Sequence, residues 1–245
     1  MRLELYNPSI LKDTFEAIGH IIDECKLNFT EDGLTINALD KSHITFIMVD
    51  YDKTLFDSYQ CEEPESIIID TDKLMKIFKR VKGDDILFLE TDNSNLIIKF
   101  QSESSRQFRI SLIDEEYDTP IPPNIEYPLS IKLPNYIIKD SLDDSKLFGG
   151  NIVFTTDEDY LHICSQTASG VFGGSHLKYL HGENINASVR SGYSIEKLID
   201  IFRASKLSKT CTISLGDDLP LSVMFEVPGE RASISFLLAP RISED

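Results

Sequence analysis

The stretch LMKIFKR at residues 74–80 returns as LIDIFRA at residues 198–204, about 124 positions later. In both copies the apolar residues recur every three or four positions, which is the spacing of one buried face of an α-helix. Basic residues fill the gaps in the first copy. A helix that occurs twice with the same apolar face predicts a chain built from two similar halves.

A second repeat extends the duplication to strands. FTEDGLTI at residues 29–36 corresponds to FTTDEDYLHI at residues 154–163, and each is a β-like run broken by acidic turn residues. The periodicity predicts helices at 8–23, 72–82, 134–146 and 194–205. It predicts strands at 26–30, 34–39, 44–51, 86–91, 96–100, 106–112, 151–155, 160–165, 211–215, 221–227 and 232–238. We therefore expect an α+β fold of two similar domains, each with two helices packed on antiparallel β-sheets.

Local motifs predict where some elements begin and where the domains divide. Asn7-Pro8 fits a helix N-cap followed by proline at the first helical position, and residues 92–95 read as a hairpin turn. Residues 113–128 contain acidic residues, no basic residue and four prolines, so we expect an extended linker there. The predicted domains are an N-terminal domain at 1–112, the linker at 113–128 and a C-terminal domain at 129–245.

The composition is that of an acidic globular chain. Of its 245 residues, 41% are hydrophobic and 27% are charged, and the formal net charge is −17. No apolar run approaches the roughly 18 residues of a membrane span, and the first residues lack a signal-peptide pattern, so we expect a soluble, non-exported protein without membrane contact. The net charge alone argues against nucleic acid, which is bound through Lys and Arg. It does not say where the cations lie.

Neither cysteines nor catalytic motifs indicate an active site. The four cysteines, at positions 25, 61, 164 and 211, form no CxxC pair, and we expect reduced thiols that lie mostly in the core. The five histidines have no metal-ligand spacing, and the phosphate-binding, zinc-protease and nucleophile-elbow motifs are absent from the sequence. The sequence therefore predicts no catalytic residue, no metal site and no cofactor.

The positions of the cations are more informative. About half of the 24 Lys and Arg residues fall in the four predicted helices or directly after them. One interpretation is that Lys and Arg simply favour exposed helical faces. The other is sequence-independent contact with a phosphate backbone. The candidate contacts are Lys12, Lys73, Lys76, Lys79, Arg80, Lys82, Lys139, Lys146, Lys197, Arg203, Lys206 and Lys209.

Five short motifs, in order along the chain, resemble those of one family. They are LDKSHI at 39–44, FDSYQC at 56–61, ASG followed by GGS within 168–175, LPL at 219–221 and LLAPR at 237–241. With the duplication and the acidic linker, they are similar to the archaeal and eukaryotic sliding clamp, proliferating cell nuclear antigen, over essentially the whole chain. The resemblance implies a ring of three subunits around duplex DNA, with the helices lining the hole. It implies a processivity factor for DNA polymerase in replication and repair, not an enzyme.

The resemblance also implies the contact surfaces. The helix cations would face double-stranded DNA. DNA polymerase, the clamp loader, flap endonuclease and ligase would each insert a clamp-interacting peptide into an apolar pocket beneath the linker. That pocket would involve Leu39, His43, Ile44, Phe46, Ile121, Pro122, Tyr127, Leu219, Pro220, Leu238, Ala239, Pro240, Arg241 and Ile242. Core packing is the alternative for its apolar members, and a plain surface position is the alternative for His43.

Subunits of this family join through edge strands. Here these would be Arg106–Leu112 and Ser175–Leu180, with Phe108, Ile110, Leu177 and Tyr179 as candidate contacts. Ring closure would also cover the strand edges that so many strands leave open. The ring could be a homotrimer or a heterotrimer.

Other interpretations stay open from the sequence. The chain could be a scaffold of the same fold, or a subunit of a checkpoint-type ring, with little DNA contact of its own. An unrecognised enzyme would instead need a pocket with perturbed carboxylates. Acidic residues share the polar faces of helices 8–23 and 134–146, which leaves the relative contribution of the four helices undecided. The expected location is cytoplasmic for an archaeal source and nuclear for a eukaryotic one.

Overall fold

The chain folds into two compact units. The computed structural model describes residues 1–92, 94–147, 150–157, 160–167, 170–178, 182–183, 188–227, 229 and 231–241, with the backbone path alone for 166–167, 170–178 and 182–183. Unit 1 comprises residues 1–41, 47–122 and 226–234. Unit 2 comprises the described residues within 42–46, 123–225 and 235–245. Each unit combines two α-helices with antiparallel strands, which confirms the predicted α+β class.

Unit 1 holds the first repeat. Its helices are α1 (Ser9–Ile18) and α2 (Thr71–Phe78), with a short 3₁₀ turn at Lys53–Leu55. Its strands are β1 (Arg2–Leu5), β2 (Glu24–Thr30), β3 (Gly33–Leu39), most of β4 (Thr45–Asp52), β5 (Ser58–Gln60), β6 (Glu65–Asp70), β7 (Ile86–Thr91), β8 (Asn95–Gln101) and β9 (Ser105–Ser111). They form one sheet in the order β5-β1-β7-β8-β9 and another run in the order β6-β2-β3-β4.

Unit 2 holds the second repeat. Its helices are α3 (Asn135–Lys146) and α4 (Ile195–Ile201), and a 3₁₀ helix at Phe202–Lys206 continues α4. Its strands are β10 (Leu129–Pro134), β11 (Asn151–Thr156), β12 (Tyr160–Thr167), β13 (Gly170–Lys178), β14 (Gly182–Glu183), β15 (Arg190–Ser194), β16 (Thr210–Leu215), β17 (Leu221–Glu226) and part of β18 (Ala232–Leu238). The orders are β13-β12-β11-β15 and β14-β10-β16-β17-β18.

The helices pack in pairs, one pair in each unit. In unit 1, α1 lies against α2, and the rings of Phe15 and Phe78 have centroids 5.1 Å apart. In unit 2, α3 lies against α4, whose Leu198 is fully buried. Buried apolar residues follow the predicted helical spacing in both pairs, so the polar faces of the helices are left at the surface. The repeated motif therefore becomes a repeated helix pair.

Three helices end earlier than predicted. α1 stops at Ile18 instead of residue 23, because the N–H groups of both Ile21 and Ile22 bond to the carbonyl of Ile18 and turn the chain. α2 stops at Phe78 instead of residue 82, and α4 changes to 3₁₀ geometry after Ile201. α1 begins at Ser9 with Pro8 at the N-cap position, so the predicted N-cap at Asn7 and first helical position at Pro8 are each one residue too early. The cations after Phe78 consequently lie outside the helix.

Two connecting segments, the hairpin turn at 92–95 and the segment 113–128, have the local structure that the sequence predicts. Asp92 accepts the backbone N–H groups of Ser94 and Asn95 and closes the predicted hairpin, whose Asn93 lies outside the described residues. Residues 113–128 carry no helix or strand, as expected for a linker.

The sequence patterns did not predict six of the strands, most of which are short: β1, β5, β6, β10, β14 and β15. No helix in the described ranges is long and apolar enough to cross a membrane.

Candidate nucleic-acid interface

The predicted DNA-contacting cations lie on the helix pairs or directly after them. Ten of the twelve are exposed, whereas Lys12 and Lys197 are half-buried. In unit 1 the exposed ones are Lys73 and Lys76 on α2 and Lys79, Arg80 and Lys82 after it. In unit 2 they are Lys139 and Lys146 on α3 and Arg203, Lys206 and Lys209 at or after the 3₁₀ helix. The structure thus brings each set to the helical surface of its own unit.

The second helix of each unit is fixed by a side-chain cap. The carboxylate of Asp70 accepts the backbone N–H of Lys73 at 2.9 Å, and the hydroxyl of Ser194 accepts that of Lys197 at 3.4 Å. These N-cap bonds satisfy donors that the first helical turn would otherwise leave unpaired. Burial would raise the pKa of Asp70, but the hydrogen bonds and charge of Lys73 outweigh burial and hold it below its usual value. The caps occupy corresponding positions of the repeat.

Several of the cations form only local ion pairs. Four pairs join charged groups three or four positions apart in the same helical segment. Their N···O distances are 3.3 Å for Lys73–Asp70, 2.5 Å for Lys76–Asp72, 2.9 Å for Lys146–Asp143 and 3.2 Å for Arg203–Asp200. Exposed pairs of this kind contribute little to stability, so a phosphate can replace the carboxylate at low cost. Within the described ranges, Lys79, Arg80, Lys82, Lys139 and Lys209 form no ion pair.

The positive charge is unequally divided between the helices. Residues 71–82 carry five cations and one carboxylate, and residues 195–209 carry four cations and two carboxylates. By contrast, α1 carries one cation and two carboxylates, and α3 carries two cations and three carboxylates. Local excess charge of one sign attracts the opposite sign even on an acidic protein. The excess of positive charge therefore belongs to the segments that begin with α2 and α4, and most of it lies in the residues after those two helices.

A groove runs between α3 and the end of α4 in unit 2. It has a volume of about 310 Å³ and a mainly apolar floor formed by Leu142, Ile199 and Phe202. Its rim carries one carboxylate, Asp143, and a set of four cations from the predicted list: Lys139, Lys146, Arg203 and Lys206. Because apolar walls strengthen nearby electrostatic attraction, the groove is suited to a phosphate group. Two helices distant in sequence thus form one basic site.

A buried ion pair supports the basic turn after α2. Asp85 is fully buried and pairs with Arg106 on β9 while accepting the backbone N–H of Lys82 at 2.7 Å. Arg106 also donates to the carbonyl of Arg80 at 2.7 Å and lies 5.4 Å from the centroid of the Phe100 ring. No sequence pattern indicates this pair, because Asp85 resembles any other acidic turn residue and Arg106 any other strand residue.

Most of the predicted peptide-pocket residues fall within unit 2. His43 and Ile44 are exposed, and His43 has a left-handed φ of 58°. The carbonyl of Ile44 accepts the N–H of Ala239 at 2.9 Å, which holds the C-terminal segment beside the 42–46 segment. Among the rest of this set, Tyr127, Leu219, Pro220 and Pro240 are half-buried and Arg241 is exposed. Burial raises the pKa of Tyr127 to about 12.

Six of the predicted pocket residues are buried in the core, belong to unit 1 or lie outside the described residues. Leu238 is fully buried and Phe46 is 7% exposed, so both belong to the core and have almost no surface for a peptide to contact. For these two residues the burial agrees with the alternative interpretation, core packing. Leu39, Ile121 and Pro122 belong to unit 1, where Ile121 is 87% exposed and Pro122 is exposed. Ile242 lies outside the described residues.

The two strands predicted for subunit contacts are sheet edges. β9 and β13 are each the outermost strand of their sheet in the described part of the chain. Phe108 is half-buried, but Ile110 is 3% exposed and packs inside unit 1, so its side chain is not available to a neighbouring subunit. Leu177 lies in β13, of which only the backbone path is described, and Tyr179 lies outside the described residues. The edges can pair through their backbone groups.

No enzymatic constellation stands out among the described residues. They contain no group of three His, Cys, Asp or Glu side chains that could hold a metal ion. All four cysteines are free thiols, but only Cys25 and Cys211 are buried, so the expectation that most lie in the core holds for two. Burial raises the pKa of each of these two to about 12, which disfavours the reactive thiolate.

Known proteins with the same features identify the family. The model of the proliferating cell nuclear antigen N-terminal domain matches residues 1–119. A DNA polymerase sliding clamp from Methanothermobacter thermautotrophicus is 44% identical over 244 residues, covering 100% of this chain and 99% of the relative. The chain belongs to the proliferating cell nuclear antigen family of sliding clamps. It is a DNA polymerase sliding clamp, a processivity factor and not an enzyme.

Further members of the clamp family agree. A DNA polymerase sliding clamp from Thermococcus gammatolerans is 29% identical over 240 residues, covering 95% of this chain and 94% of the relative. The crystal structure of the PCNA2–PCNA3 complex from Sulfolobus tokodaii contains a chain with a TM-score of 0.89 and 25% identity, covering 98% of this chain and 99% of that chain. The resemblance inferred from short motifs is confirmed over the whole length of the sliding clamp.

Proposed function

We propose that three copies of this clamp close into a ring around duplex DNA and that the helix cations of each copy contact the phosphate backbone. The observation that carries the proposal is the groove between α3 and α4, because four predicted cations meet there over an apolar floor. Phosphate contacts made by Lys and Arg are independent of base sequence, which suits a clamp that moves along its template.

Salt dependence of DNA binding tests this contact. Replacing Arg203 and Lys206 by alanine should make the logarithm of the DNA binding constant depend less steeply on the logarithm of salt concentration, by about 0.9 for each lost phosphate contact. The same variant should stimulate DNA synthesis on long templates less than the wild type. Lys53→Ala combined with Arg231→Ala is the matched control, because it removes two exposed cations outside the helix pairs.

The alternative interpretation predicts another outcome. A scaffold or checkpoint-type subunit with little DNA contact would show the same salt slope in the helix variant, the control and the wild type. Unchanged slope and unchanged stimulation, with partner binding intact, would therefore contradict the DNA-contact proposal.

We further propose edge-strand pairing for ring assembly, with β9 of one copy beside β13 of the next. Support comes from the outermost position of both strands and from the half-buried Phe108 on β9. The solution mass of the purified chain tests the assembly: a trimer mass supports a homotrimer. A monomer mass would contradict the homotrimer and point to a heterotrimer with other clamp chains.

Partner proteins are proposed to dock at the exposed loop that carries His43 and Ile44. Ile44 is 39% exposed next to the C-terminal segment, an arrangement that favours an apolar peptide anchor with backbone pairing. DNA polymerase, clamp loader, flap endonuclease and ligase remain the proposed partners.

The proposed domain division is an N-terminal domain at 1–112, a linker at 113–128 and a C-terminal domain at 129–245. Because the sliding clamps named above come from archaea, we propose a cytoplasmic location.

A further inference from the structure

The basic segment that follows α4 is held by one buried side chain on the neighbouring helix. Asn135, the first residue of α3, is 5% exposed. Its side-chain amide donates to the carbonyl of Ser208 at 2.5 Å and to that of Ser205 at 3.2 Å. Its backbone N–H donates to the carbonyl of Lys209 at 3.0 Å. Three hydrogen bonds from one residue therefore fix residues 205–209.

Among the described residues, both side-chain hydrogen bonds of Asn135 go to this segment. In the described part of the chain, its side-chain oxygen is buried and has no partner. A buried unpaired oxygen costs free energy, so Asn135 is not optimised for its own helix. The residue therefore acts on the segment that it binds.

The segment carries cations of the groove. Arg203 and Lys206 belong to its rim, and the exposed Lys209 follows directly. Without the two side-chain bonds of Asn135, the backbone of residues 207–209 would still be held by the bond from the N–H of Leu207 to the carbonyl of Ala204 and by that from the N–H of Asn135 to the carbonyl of Lys209, but the carbonyls of Ser205 and Ser208 would lose their bonds to the Asn135 amide. Holding charged groups in place beforehand lowers the ordering cost of binding a phosphate.

We propose that Asn135 is a positioning residue for DNA binding: it holds residues 205–209 so that Lys206 and Lys209 point their charge at the DNA backbone beside the α3–α4 groove. This inference rests on the proposed DNA contact of the groove. It adds a neutral, buried residue to a surface that charge alone would identify.

The test compares salt slopes of DNA binding for the full chain and a short duplex. Asn135→Ala removes both side-chain donors, keeps the backbone bond and leaves the net charge unchanged. We expect the slope to fall by about 0.9 to 1.8, corresponding to one or two lost phosphate contacts. Ser145→Ala is the matched control, because Ser145 is a buried polar residue of α3 whose hydroxyl donates to the carbonyl of Ser141, within its own helix. The control should keep the wild-type salt slope even if it lowers the thermal unfolding midpoint as much as Asn135→Ala does.

A double-mutant cycle separates this inference from the groove proposal. In a chain that already carries Lys206→Ala and Lys209→Ala, adding Asn135→Ala should change the slope no further. A wild-type slope for Asn135→Ala, while Lys206→Ala and Lys209→Ala lower it, would overturn the role of Asn135 and leave the groove proposal standing. A further fall of the slope in the combined variant would also overturn it. No effect of the lysine variants would overturn the groove proposal itself.

Discussion

Arg106 on the edge strand β9 forms an ion pair with the buried carboxylate of Asp85 and so closes the turn that follows α2. Burial would raise the pKa of Asp85, but the hydrogen bond from Arg106, the backbone bond from Lys82 and the charge of Arg106 outweigh burial and lower it. The pair joins the basic turn to the edge of the sheet within unit 1.

Asp85→Asn should destabilise the chain at neutral pH by about 3 kcal/mol, because Arg106 loses its buried partner. A folded-state pKa below the unfolded value, which is about 3.9, means that the carboxylate stabilises the fold above that value and that its contribution is lost as the pH falls through the folded pKa. Wild type and variant should therefore converge in acid, as measured by urea unfolding over a pH series. The exposed neighbour provides the control, Asp84→Asn, which should change little. A difference that persists undiminished in acid would count against this account.

Asp70→Ala should cost about 1 kcal/mol of unfolding free energy, because it removes the N-cap of α2. Asp72→Ala removes a carboxylate of the same helical turn that pairs with Lys76 at the surface but caps nothing, and it should cost much less. Urea denaturation of both variants measures the difference. Equal losses would mean that charge near the helix end matters and that the cap bond does not.

Gly33→Ala should destabilise the chain by more than about 3 kcal/mol, because a Cβ there would lie 1.9 Å from the carbonyl oxygen of Tyr51, at a φ of +150°. Gly83→Ala is the matched control, since a Cβ at Gly83 meets no atom within 4 Å. Thermal unfolding of both variants tests the prediction. A small shift for Gly33→Ala would show that β3 and the Tyr51 backbone move apart easily.

His43→Asn should leave stability nearly unchanged, because asparagine tolerates the left-handed φ of 58° that this residue adopts. His43→Val should lower stability, since a β-branched side chain strains that backbone. If His43 is a wall of the peptide site, His43→Asn should weaken a clamp-interacting peptide about fivefold, or about 1 kcal/mol. Isothermal titration measures this, and an unchanged affinity would assign His43 a plain surface position.

Sequence periodicity predicted the four helices but not where three of them end. Leu74 and Phe78 recur at helical spacing, and both are buried as the pattern requires. The stretch after Phe78 keeps the composition of a helix, yet the N–H groups of Arg80 and Val81 bond only three residues back. The carbonyl of Arg80 is bonded by the side chain of Arg106, 26 positions later. A long-range bond of this kind leaves no periodic trace.

The same limit applies to the candidate site. Side-chain type and helical position were enough to select the exposed cations, because charged side chains at polar helical positions stay in water. Burial was not predictable where a short apolar run has two possible surroundings: Ile110 and Leu238 are both core residues. Asn135 carried no sequence signal at all, since its importance depends on carbonyl groups about 70 positions away.

The sequence by itself determined the duplication, the α+β class, the clamp family and the location of positive charge on the helical segments. These properties depend on local spacing and on ordered motifs, which are written along the chain. Only the tertiary structure decided that Lys139 and Lys146 share a groove with Arg203 and Lys206, and that Asp85 and Arg106 meet. Such pairs lie on different elements, so their distance is set by how the helices and sheets pack and not by their separation in the chain.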